Sequence, residues 1–291
     1  MLIPNDYIKK FLCVFLFIVS LNAAEVISDV VPSKILGFDW KIHVYLPADF
    51  QKNAEYRYPA LFLLHGSGGN ESDWDRMFPI LDSLIAVGKI PPIVAIAPAS
   101  GTSWWVDGQD CFETAFFKEL FSYISKKYHL IENREAHIIA GLSMGGYGAL
   151  RYGLVYPDYF GGAILLSPAI YNKLPPPESS ARTSGAFGKP FSEELWTKRN
   201  FTTIIPTYLD QKDKVRFFIG AGDDDWNHEE RFNYNIEQQV VHLYGLLNKK
   251  NHNPAELRIV DGGHNWNVWK PLFIEGLLYM SKTVPEFSTS R

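Results

Sequence analysis

Residues 141–145 carry the residue types that a nucleophile for acyl transfer requires. Their sequence, Gly-Leu-Ser-Met-Gly, places Ser143 between two glycines, after the apolar run 136–140 and before the helical pattern 146–156. A tight strand-to-helix turn of this kind projects a serine hydroxyl out of the sheet, where a histidine base can reach it. Because the short pattern GxSxG also occurs by chance, its significance depends on matching parts elsewhere in the chain.

Two later segments supply an acid and a base. The apolar run 215–219 is followed by Gly-Ala-Gly and then Asp223, and the run 257–260 leads into a glycine-rich loop that carries His264. Serine, aspartate and histidine together perform nucleophilic catalysis, in which the acid orients the base and the base accepts the serine proton. The sequence therefore predicts Ser143, Asp223 and His264 as a catalytic triad, with Asp224 and Asp225 as alternatives for the acid.

A third requirement is a pair of hydrogen-bond donors for the oxyanion that forms on the substrate carbonyl. The backbone N–H of Met144 directly follows the nucleophile, and the glycine-rich turn 64–69 follows another buried run. A turn of this composition lets a main-chain amide approach the substrate without an obstructing side chain. We predict that Met144 and Ser67 provide the two amides, with Gly68 as the alternative to Ser67. His65, beside this turn, is interpreted as structural.

The remaining sequence predicts the elements that must position these residues. Short apolar or alternating runs predict strands, and apolar residues at helical spacing predict helices between them. This alternation predicts an α/β fold, with a mostly parallel central sheet covered by helices on both faces. The predicted strands are 41–46, 60–64, 93–97, 136–140, 163–166, 215–219 and 257–260, and the predicted helices are 77–87, 112–128, 146–156, 231–247 and 268–280.

The segment 171–214 interrupts this rhythm with three consecutive prolines, a polar stretch and scattered aromatic residues. A long irregular insertion in a compact domain commonly covers a functional site. We therefore predict one domain over residues 25–291, in which 171–214 is an irregular cover.

The first 24 residues differ in character from the rest of the chain. Two lysines precede an apolar run of about eleven residues that ends in small residues, a pattern typical of a secretory signal and too short to span a bilayer. Cleavage after Ala24 would give a secreted or periplasmic protein without stable membrane insertion; an uncleaved anchor is the alternative. Cys13 would be lost with the signal, so Cys111 alone would remain and no internal disulfide could form.

Charge and composition narrow the class of partner. The formal net charge is −4, and no block of like charges forms a basic footprint for nucleic acid. The expected partner is a small-molecule or oligosaccharide ester, and the sequence does not determine the oligomeric state. Aromatic residues favour a wall against which a sugar or phenolic acyl group could stack, since two adjacent tryptophans cannot readily both be buried. Trp104, Trp105, Trp226 and Trp266 are the candidates for substrate binding.

A metal site is not expected. Asp223, Asp224, Asp225 and His228 superficially resemble a cluster of ligands. Consecutive aspartates on an extended segment point to opposite faces, however, and would not converge on one ion.

Taken in order, these motifs resemble the putative-esterase family of α/β-hydrolases. The resemblance runs from about residue 31 to residue 280 and rests on the segments 63–74, 103–105, 113–120, 141–146, 220–223 and 262–266. That family groups esterase D-like S-formylglutathione hydrolases, feruloyl esterases, tributyrin-type esterases and mycolyltransferases. The resemblance implies the α/β-hydrolase fold and serine hydrolase chemistry without a metal or organic cofactor. It places the family's acid at Asp223, although two further aspartates follow here.

Together, the residues and the resemblance predict a secreted serine esterase. Its substrates are expected to be carbohydrate-linked feruloyl or acetyl esters, because an exported enzyme meets polymer-derived esters rather than cytosolic thioesters. The alternatives are an acyltransferase to a sugar hydroxyl, a thioesterase similar to S-formylglutathione hydrolase, and a non-catalytic carbohydrate-binding relative.

Overall fold

A central sheet of eight strands organises the computed structural model of the chain, which describes residues 23–50, 57–226, 234–248 and 254–283. The strands lie in the order β1-β2-β4-β3-β5-β6-β7-β8. Their bounds are Glu25–Ser33 (β1), Phe38–Leu46 (β2), Ala60–Leu64 (β3), Val94–Pro98 (β4), His137–Leu142 (β5), Gly162–Leu166 (β6), Arg216–Gly222 (β7) and Ala255–Val260 (β8). The predicted signal, including Cys13, lies outside the described residues, apart from residues 23 and 24.

Most neighbouring strands in this sheet are parallel. Strand β2 pairs antiparallel with both β1 and β4, and every other neighbouring pair of described strands is parallel. Strands β3, β4, β5 and β6 consist entirely of buried residues, which matches their apolar sequences. Strand β1 was not predicted, because it is an edge strand whose sequence mixes charged, polar and apolar residues and whose exposure varies along its length.

Eight helices cover the described part of the sheet. They are α1 (Phe78–Ala86), α2 (Phe112–Ala115), α3 (Phe121–Lys127), α4 (Met144–Val155), α5 (Glu193–Arg199), α6 (Phe201–Leu209), α7 (Ile236–Asn248) and α8 (Trp266–Thr283). A π-helical turn, Phe116–Leu120, joins α2 to α3, so the predicted helix 112–128 is continuous but irregular. Residues 231–233 of the predicted helix 231–247 lie outside the described residues.

The helices form two hydrophobic cores on opposite faces of the sheet. One core contains Leu81 of α1 and Leu272 of α8 together with Ile138 of β5. The other contains Leu150 of α4 and Ile139, the next residue of β5. Because successive side chains of a strand point to opposite faces, the two cores confirm the predicted helix layers on both sides.

The segment 171–214 is more regular than predicted. It contains the two helices α5 and α6, which are separated only by Asn200. The Asn200 side chain accepts from Thr202 N–H at 2.9 Å and donates to the Tyr171 carbonyl at 2.7 Å. The prediction of an irregular insertion was therefore wrong for residues 193–209, because one buried asparagine caps the second helix and anchors it to the rest of the segment.

The carboxyl ends of neighbouring strands are joined by His65, the first residue after β3. Its Nε2 accepts the Ser100 N–H beyond β4 at 2.8 Å, so Nδ1 carries the proton and donates to the Gly66 carbonyl at 2.6 Å. Burial lowers the pKa of His65, although the hydrogen bond to Gly66 opposes this effect. His65 has the structural role predicted for it, and it acts as a neutral imidazole.

A buried ion pair attaches α4 to α2. Arg151 donates to both carboxylate oxygens of Glu113, at 2.7 Å from Nε and 3.0 Å from Nη2, and Tyr156 Oη donates to the same carboxylate at 2.8 Å. The Glu113 side chain is 5% exposed and that of Arg151 is 13% exposed. Every oxygen of this carboxylate is therefore satisfied away from solvent, as a buried charge requires.

Cys111 is a free, exposed cysteine. Within the described residues, no helix is both long and apolar enough to cross a membrane.

We expect Glu113→Gln to lower the free energy of unfolding by about 3 kcal/mol, because it leaves the Arg151 guanidinium buried without its countercharge. The matched control is Glu275→Gln, which breaks the half-exposed pair between Glu275 and Arg258 and should cost less than about 1 kcal/mol. Urea denaturation followed by circular dichroism measures both values. Equal losses in the two variants would contradict the importance assigned to burial of the Glu113–Arg151 pair.

His65 should make the protein sensitive to acid. Since burial lowers its folded-state pKa, the unfolded chain binds a proton near the ordinary value of about 6.5 while the folded chain does not, and stability falls as the pH drops below that value. Over this window, the contribution of one such group approaches about 1.4 kcal/mol per pH unit. In His65→Gln, the unfolding free energy should depend less steeply on pH. Burial also lowers the pKa of His137, but this residue contributes the same pH dependence to both proteins. Equal slopes of unfolding free energy against pH in the variant and the wild type would therefore refute the role assigned to His65.

Candidate active site

The turn between β5 and α4 holds Ser143 in a conformation that few residues adopt. Its φ is 55° and its ψ is −119°, values that lie outside the allowed regions of an ordinary side-chain-bearing residue. The two flanking glycines explain how the turn closes. A Cβ on Gly141 would lie 2.1 Å from the Gly145 carbonyl oxygen, and one on Gly145 would lie 2.1 Å from the Leu64 carbonyl oxygen. Both glycines are therefore required by close backbone packing.

Hydrogen bonds from neighbouring segments keep this turn in place. Ser143 N–H donates to the Leu166 carbonyl at the end of β6 (3.0 Å), and the Ser143 carbonyl accepts from Ala169 (2.9 Å) and Tyr147 (3.1 Å). Because the surroundings fix the strained backbone on both sides, the direction of the Ser143 Cα–Cβ bond is fixed. The Ser143 residue is 8% exposed and lines two cavities.

His264 bonds to Asp225, not to Asp223. The Nδ1 of His264 lies 2.6 Å from Asp225 Oδ1, and the Asp225 side chain is fully buried while that of His264 is 17% exposed. A buried carboxylate at this position can fix the tautomer and orientation of the imidazole. Of the three aspartates considered as the acid, Asp225 has this geometry, and the prediction of Asp223 was wrong.

The length of β7 explains why the acid lies two residues later than predicted. The strand continues to Gly222, and Asp223 then accepts the Gly262 N–H through Oδ1 at 3.0 Å. The Asp223 side chain is thus used to hold the loop before His264, on the exposed side of the turn. No feature of the three consecutive aspartates identifies Asp225 before the end of the strand is known.

The acidic turn also corrects the argument made against a metal site. Carboxylate oxygens of Asp223, Asp224 and Asp261 lie within 4.8 Å of one another, and all three residues are exposed. Consecutive aspartates converge here because the chain turns after Gly222 instead of remaining extended. Exposed acidic groups of this kind do not by themselves form an ion site, and His228 lies outside the described residues.

The two predicted oxyanion donors flank the serine. Met144 is the first residue of α4, where helix geometry leaves the N–H without an intrahelical acceptor. Ser67 lines the same cavity as Ser143 and Met144. The alternative donor, Gly68, already donates its N–H to the Gly101 carbonyl at 2.9 Å. This bond favours Ser67 over Gly68.

Two cavities meet at Ser143. The first has a volume of about 380 Å³ and is lined mainly by apolar and aromatic side chains, with a rim of serines and Glu178 from residues 176–180. The second, of about 480 Å³, is lined by the glycine-rich turn, Asp73, His264 and three tryptophans. We call them the apolar cavity and the histidine cavity. Among the described residues, Ser67, Ser143 and Trp226 line both.

The two adjacent tryptophans are both buried, contrary to the prediction. Trp104 is 2% exposed and Trp105 fully buried, and each has a φ of 56°. This left-handed conformation at successive residues directs both rings into the protein. Trp105 packs on Gly148 of α4 and donates from Nε1 to the His65 carbonyl at 3.3 Å. Trp105 lines neither cavity and is not a substrate-binding residue, whereas Trp104 lines the apolar cavity.

The other two candidate tryptophans lie at the histidine cavity. Trp226 stacks on the His264 ring, with ring centroids 4.2 Å apart. Trp266 lines this cavity and is stacked by the Arg76 guanidinium at 4.7 Å. Sequence reasoning missed a further member, Trp269, whose ring meets that of His264 edge to face at a centroid distance of 5.0 Å.

One hydroxyl connects the oxyanion turn to the segment 171–214. Ser180 Oγ accepts from Ser67 Oγ at 2.8 Å and from Trp104 Nε1 at 3.2 Å. Pro176, Glu178 and Ser179 from the same stretch also line the apolar cavity. Part of the segment 171–214 therefore forms a wall of the site.

Comparison with known proteins places these features in a family. The sequence profile described as "Putative esterase" matches residues 33–280. An acetyl esterase from Caldicellulosiruptor saccharolyticus is 26% identical over 269 residues, which cover 86% of this chain and 96% of the relative.

Solved structures agree with this result. A ferulic acid esterase superimposes with a TM-score of 0.73 at 26% identity, over 90% of this chain and 98% of the other. An S-formylglutathione hydrolase from Agrobacterium tumefaciens shares the fold alone, with a TM-score of 0.69 at 16% identity over 90% and 95% of the two chains. The predicted α/β-hydrolase fold and the predicted class of carboxylic-ester hydrolase are thereby confirmed, and the chain belongs to the putative esterase family.

Proposed function

We propose that this protein is an exported serine esterase that uses Ser143, His264 and Asp225 to hydrolyse carbohydrate-linked feruloyl or acetyl esters. The observation that carries the proposal is the 2.6 Å hydrogen bond between His264 and the buried Asp225, in a cavity that Ser143 also lines. A strained serine, an imidazole and a buried carboxylate are the three groups that acyl transfer requires.

The first half of the reaction forms an acyl-enzyme. His264 accepts the proton of Ser143 at Nε2, because Nδ1 carries the hydrogen bonded to Asp225, and the serine oxygen attacks the ester carbonyl. The carbonyl oxygen becomes an oxyanion that the N–H groups of Met144 and Ser67 stabilise. When the intermediate collapses, the carbon–oxygen bond to the alcohol breaks and His264 gives its proton to the leaving alcohol.

The second half reverses these roles. Water enters, His264 takes one of its protons, and the resulting oxygen nucleophile attacks the acyl carbon. The bond to Ser143 then breaks, the serine oxygen regains a proton from His264, and the free acid leaves. Asp225 keeps its negative charge throughout and stabilises the imidazolium.

The two cavities suit the two halves of the ester. His264 must protonate the leaving oxygen, so the alcohol is assigned to the histidine cavity, whose lining includes Trp266. The acyl group is assigned to the apolar cavity, which Trp104 and Tyr171 line. Aromatic walls and a volume of about 380 Å³ favour a planar, feruloyl-type acyl group over acetyl.

The names of two similar proteins agree with this substrate class. One is an acetyl esterase and one a ferulic acid esterase, each 26% identical to this chain. Export is proposed on the basis of the signal pattern in residues 1–24. Strand β1 begins at Glu25, so cleavage after Ala24 would leave the sheet intact.

The decisive experiment compares the mature protein with Ser143→Ala on nitrophenyl acetate and methyl ferulate. We expect turnover in the wild type and a loss of about 10⁶-fold in kcat in the variant, the scale seen when a serine nucleophile is removed. Equal activity in both proteins would contradict the role of Ser143.

Substrate and acceptor tests separate the remaining functions. A kcat/KM for S-formylglutathione far above that for aryl and feruloyl esters would favour the thioesterase instead. Transfer of the acyl group to an added sugar, detected by mass spectrometry, would identify an acyltransferase. No turnover of any ester would favour a binding protein.

The acid is tested by Asp225→Asn with Asp223→Asn as its matched control. Asp225→Asn should lower kcat by about 10⁴-fold, because an amide at this position favours the wrong imidazole tautomer. Asp223→Asn keeps an oxygen acceptor for the Gly262 N–H and should retain kcat close to that of the wild type. The reverse order of the two effects would restore Asp223 as the acid.

A further inference from the structure

The indole of Trp226 lies flat against the imidazole of His264. The two ring centroids are 4.2 Å apart and the planes differ by 27°. The Tyr171 ring is nearly parallel to the same indole at a longer centroid distance of 6.5 Å. Trp226 therefore makes its close aromatic contact with the histidine, although it was predicted to contact substrate.

The backbone conformation explains how two consecutive residues both contact His264. Asp225 and Trp226 are consecutive, and in extended chain their side chains would point to opposite faces. Trp226 instead has a φ of 50°, in the left-handed region that a bulky residue rarely adopts. As a result, the indole of Trp226 covers one face of the His264 ring, while Asp225 binds Nδ1 at the edge of the same ring. Strain at a large residue indicates that the surrounding structure requires the conformation.

The imidazole is held from three directions as a result. Asp225 binds Nδ1 at 2.6 Å, Trp226 covers one face, and Trp269 contacts the ring at 5.0 Å with its plane nearly perpendicular. Trp269 is itself fixed, since its Nε1 donates to the buried Ser167 Oγ at 2.9 Å. Rotation of the imidazole out of its plane would collide with the indole of Trp226.

Stacking also has an electrostatic effect. The imidazole gains a positive charge when it takes the serine proton, and the face of an indole attracts a cation. Trp226 is adjacent to that charge for as long as it exists, in a position where the stack excludes water from one side. The contact is therefore stronger in the charged state than in the neutral one, which is the condition for accelerating a reaction.

We infer that Trp226 is a positioning residue for His264, which holds the plane of the imidazole for proton transfer and stabilises its charged form. The inference rests on the proposed function, because it concerns the base of that same site. It predicts that the ring of residue 226, more than its bulk, determines how fast Ser143 is activated.

The test uses a matched pair of variants, Trp226→Phe and Trp226→Met. Phenylalanine keeps a flat ring on the imidazole, whereas methionine fills similar space without one. The probe is diisopropyl fluorophosphate, whose phosphorus bonds to Ser143 Oγ while fluoride leaves and His264 takes the serine proton. The reaction uses the same nucleophile and base as ester cleavage, and the isopropoxy groups of the probe are much smaller than a feruloyl group or a sugar.

We expect Trp226→Met to react about ten-fold more slowly than the wild type, within the range expected for loss of a cation–π contact and of ring alignment. Trp226→Phe should recover most of that rate. With methyl ferulate, Trp226→Met should lower kcat by a similar factor while KM changes little. Circular dichroism and thermal unfolding establish that both variants are folded.

Three results would overturn the inference. Equal probe rates in Trp226→Met and the wild type would show that the stack has no effect on Ser143 activation. Equal losses in the Phe and Met variants would show that the ring is not what matters, and a change confined to KM would return Trp226 to substrate binding. A wild-type protein that neither reacts with the probe nor hydrolyses esters would instead refute the proposed function.

Discussion

The active site depends on how closely the backbone of α4 approaches the ends of β3 and β5. Gly141 and Gly145 allow this approach, since a Cβ on either would lie 2.1 Å from a carbonyl oxygen. The approach forces Ser143 into its unusual φ and ψ, and it places the first free N–H of the helix beside the serine. The proposed nucleophile and one proposed oxyanion donor thus follow from one packing constraint between a helix and a sheet.

Much of this arrangement could be predicted because it depends on local sequence. The apolar runs that predicted β3, β5 and β6 match the observed strands within two residues, since buried strands in a parallel sheet must be continuously apolar. Ser143 and His264, which line one cavity, could be singled out because each belongs to a glycine-rich turn after such a run. Strand β1 was missed because an edge strand, with one side unpaired, does not need that apolar pattern.

The errors concern residues whose roles depend on distant parts of the chain. Asp225 differs from Asp223 and Asp224 only in where β7 ends and in which direction the turn faces, and pairing with β8 through Gly222 determines both. The burial of Trp104 and Trp105 depends on two left-handed residues in succession and on Gly148 of α4. Neither propensity nor hydrophobic pattern encodes such contacts, so the tertiary structure is needed to assign these roles.

Ser180 connects the segment 171–214 to the candidate active site through two hydrogen bonds. Its hydroxyl oxygen is shared by Ser67, on the oxyanion turn, and by Trp104, on the wall of the apolar cavity. Any displacement of this segment that separates Ser180 from the turn breaks both hydrogen bonds at once. The width of the cavity and the position of Ser67, the proposed second oxyanion donor, are therefore coupled, so that a substrate that spreads the wall would also displace this donor. Under the proposed mechanism, substrate selection would then operate on the rate of the chemical step as well as on binding.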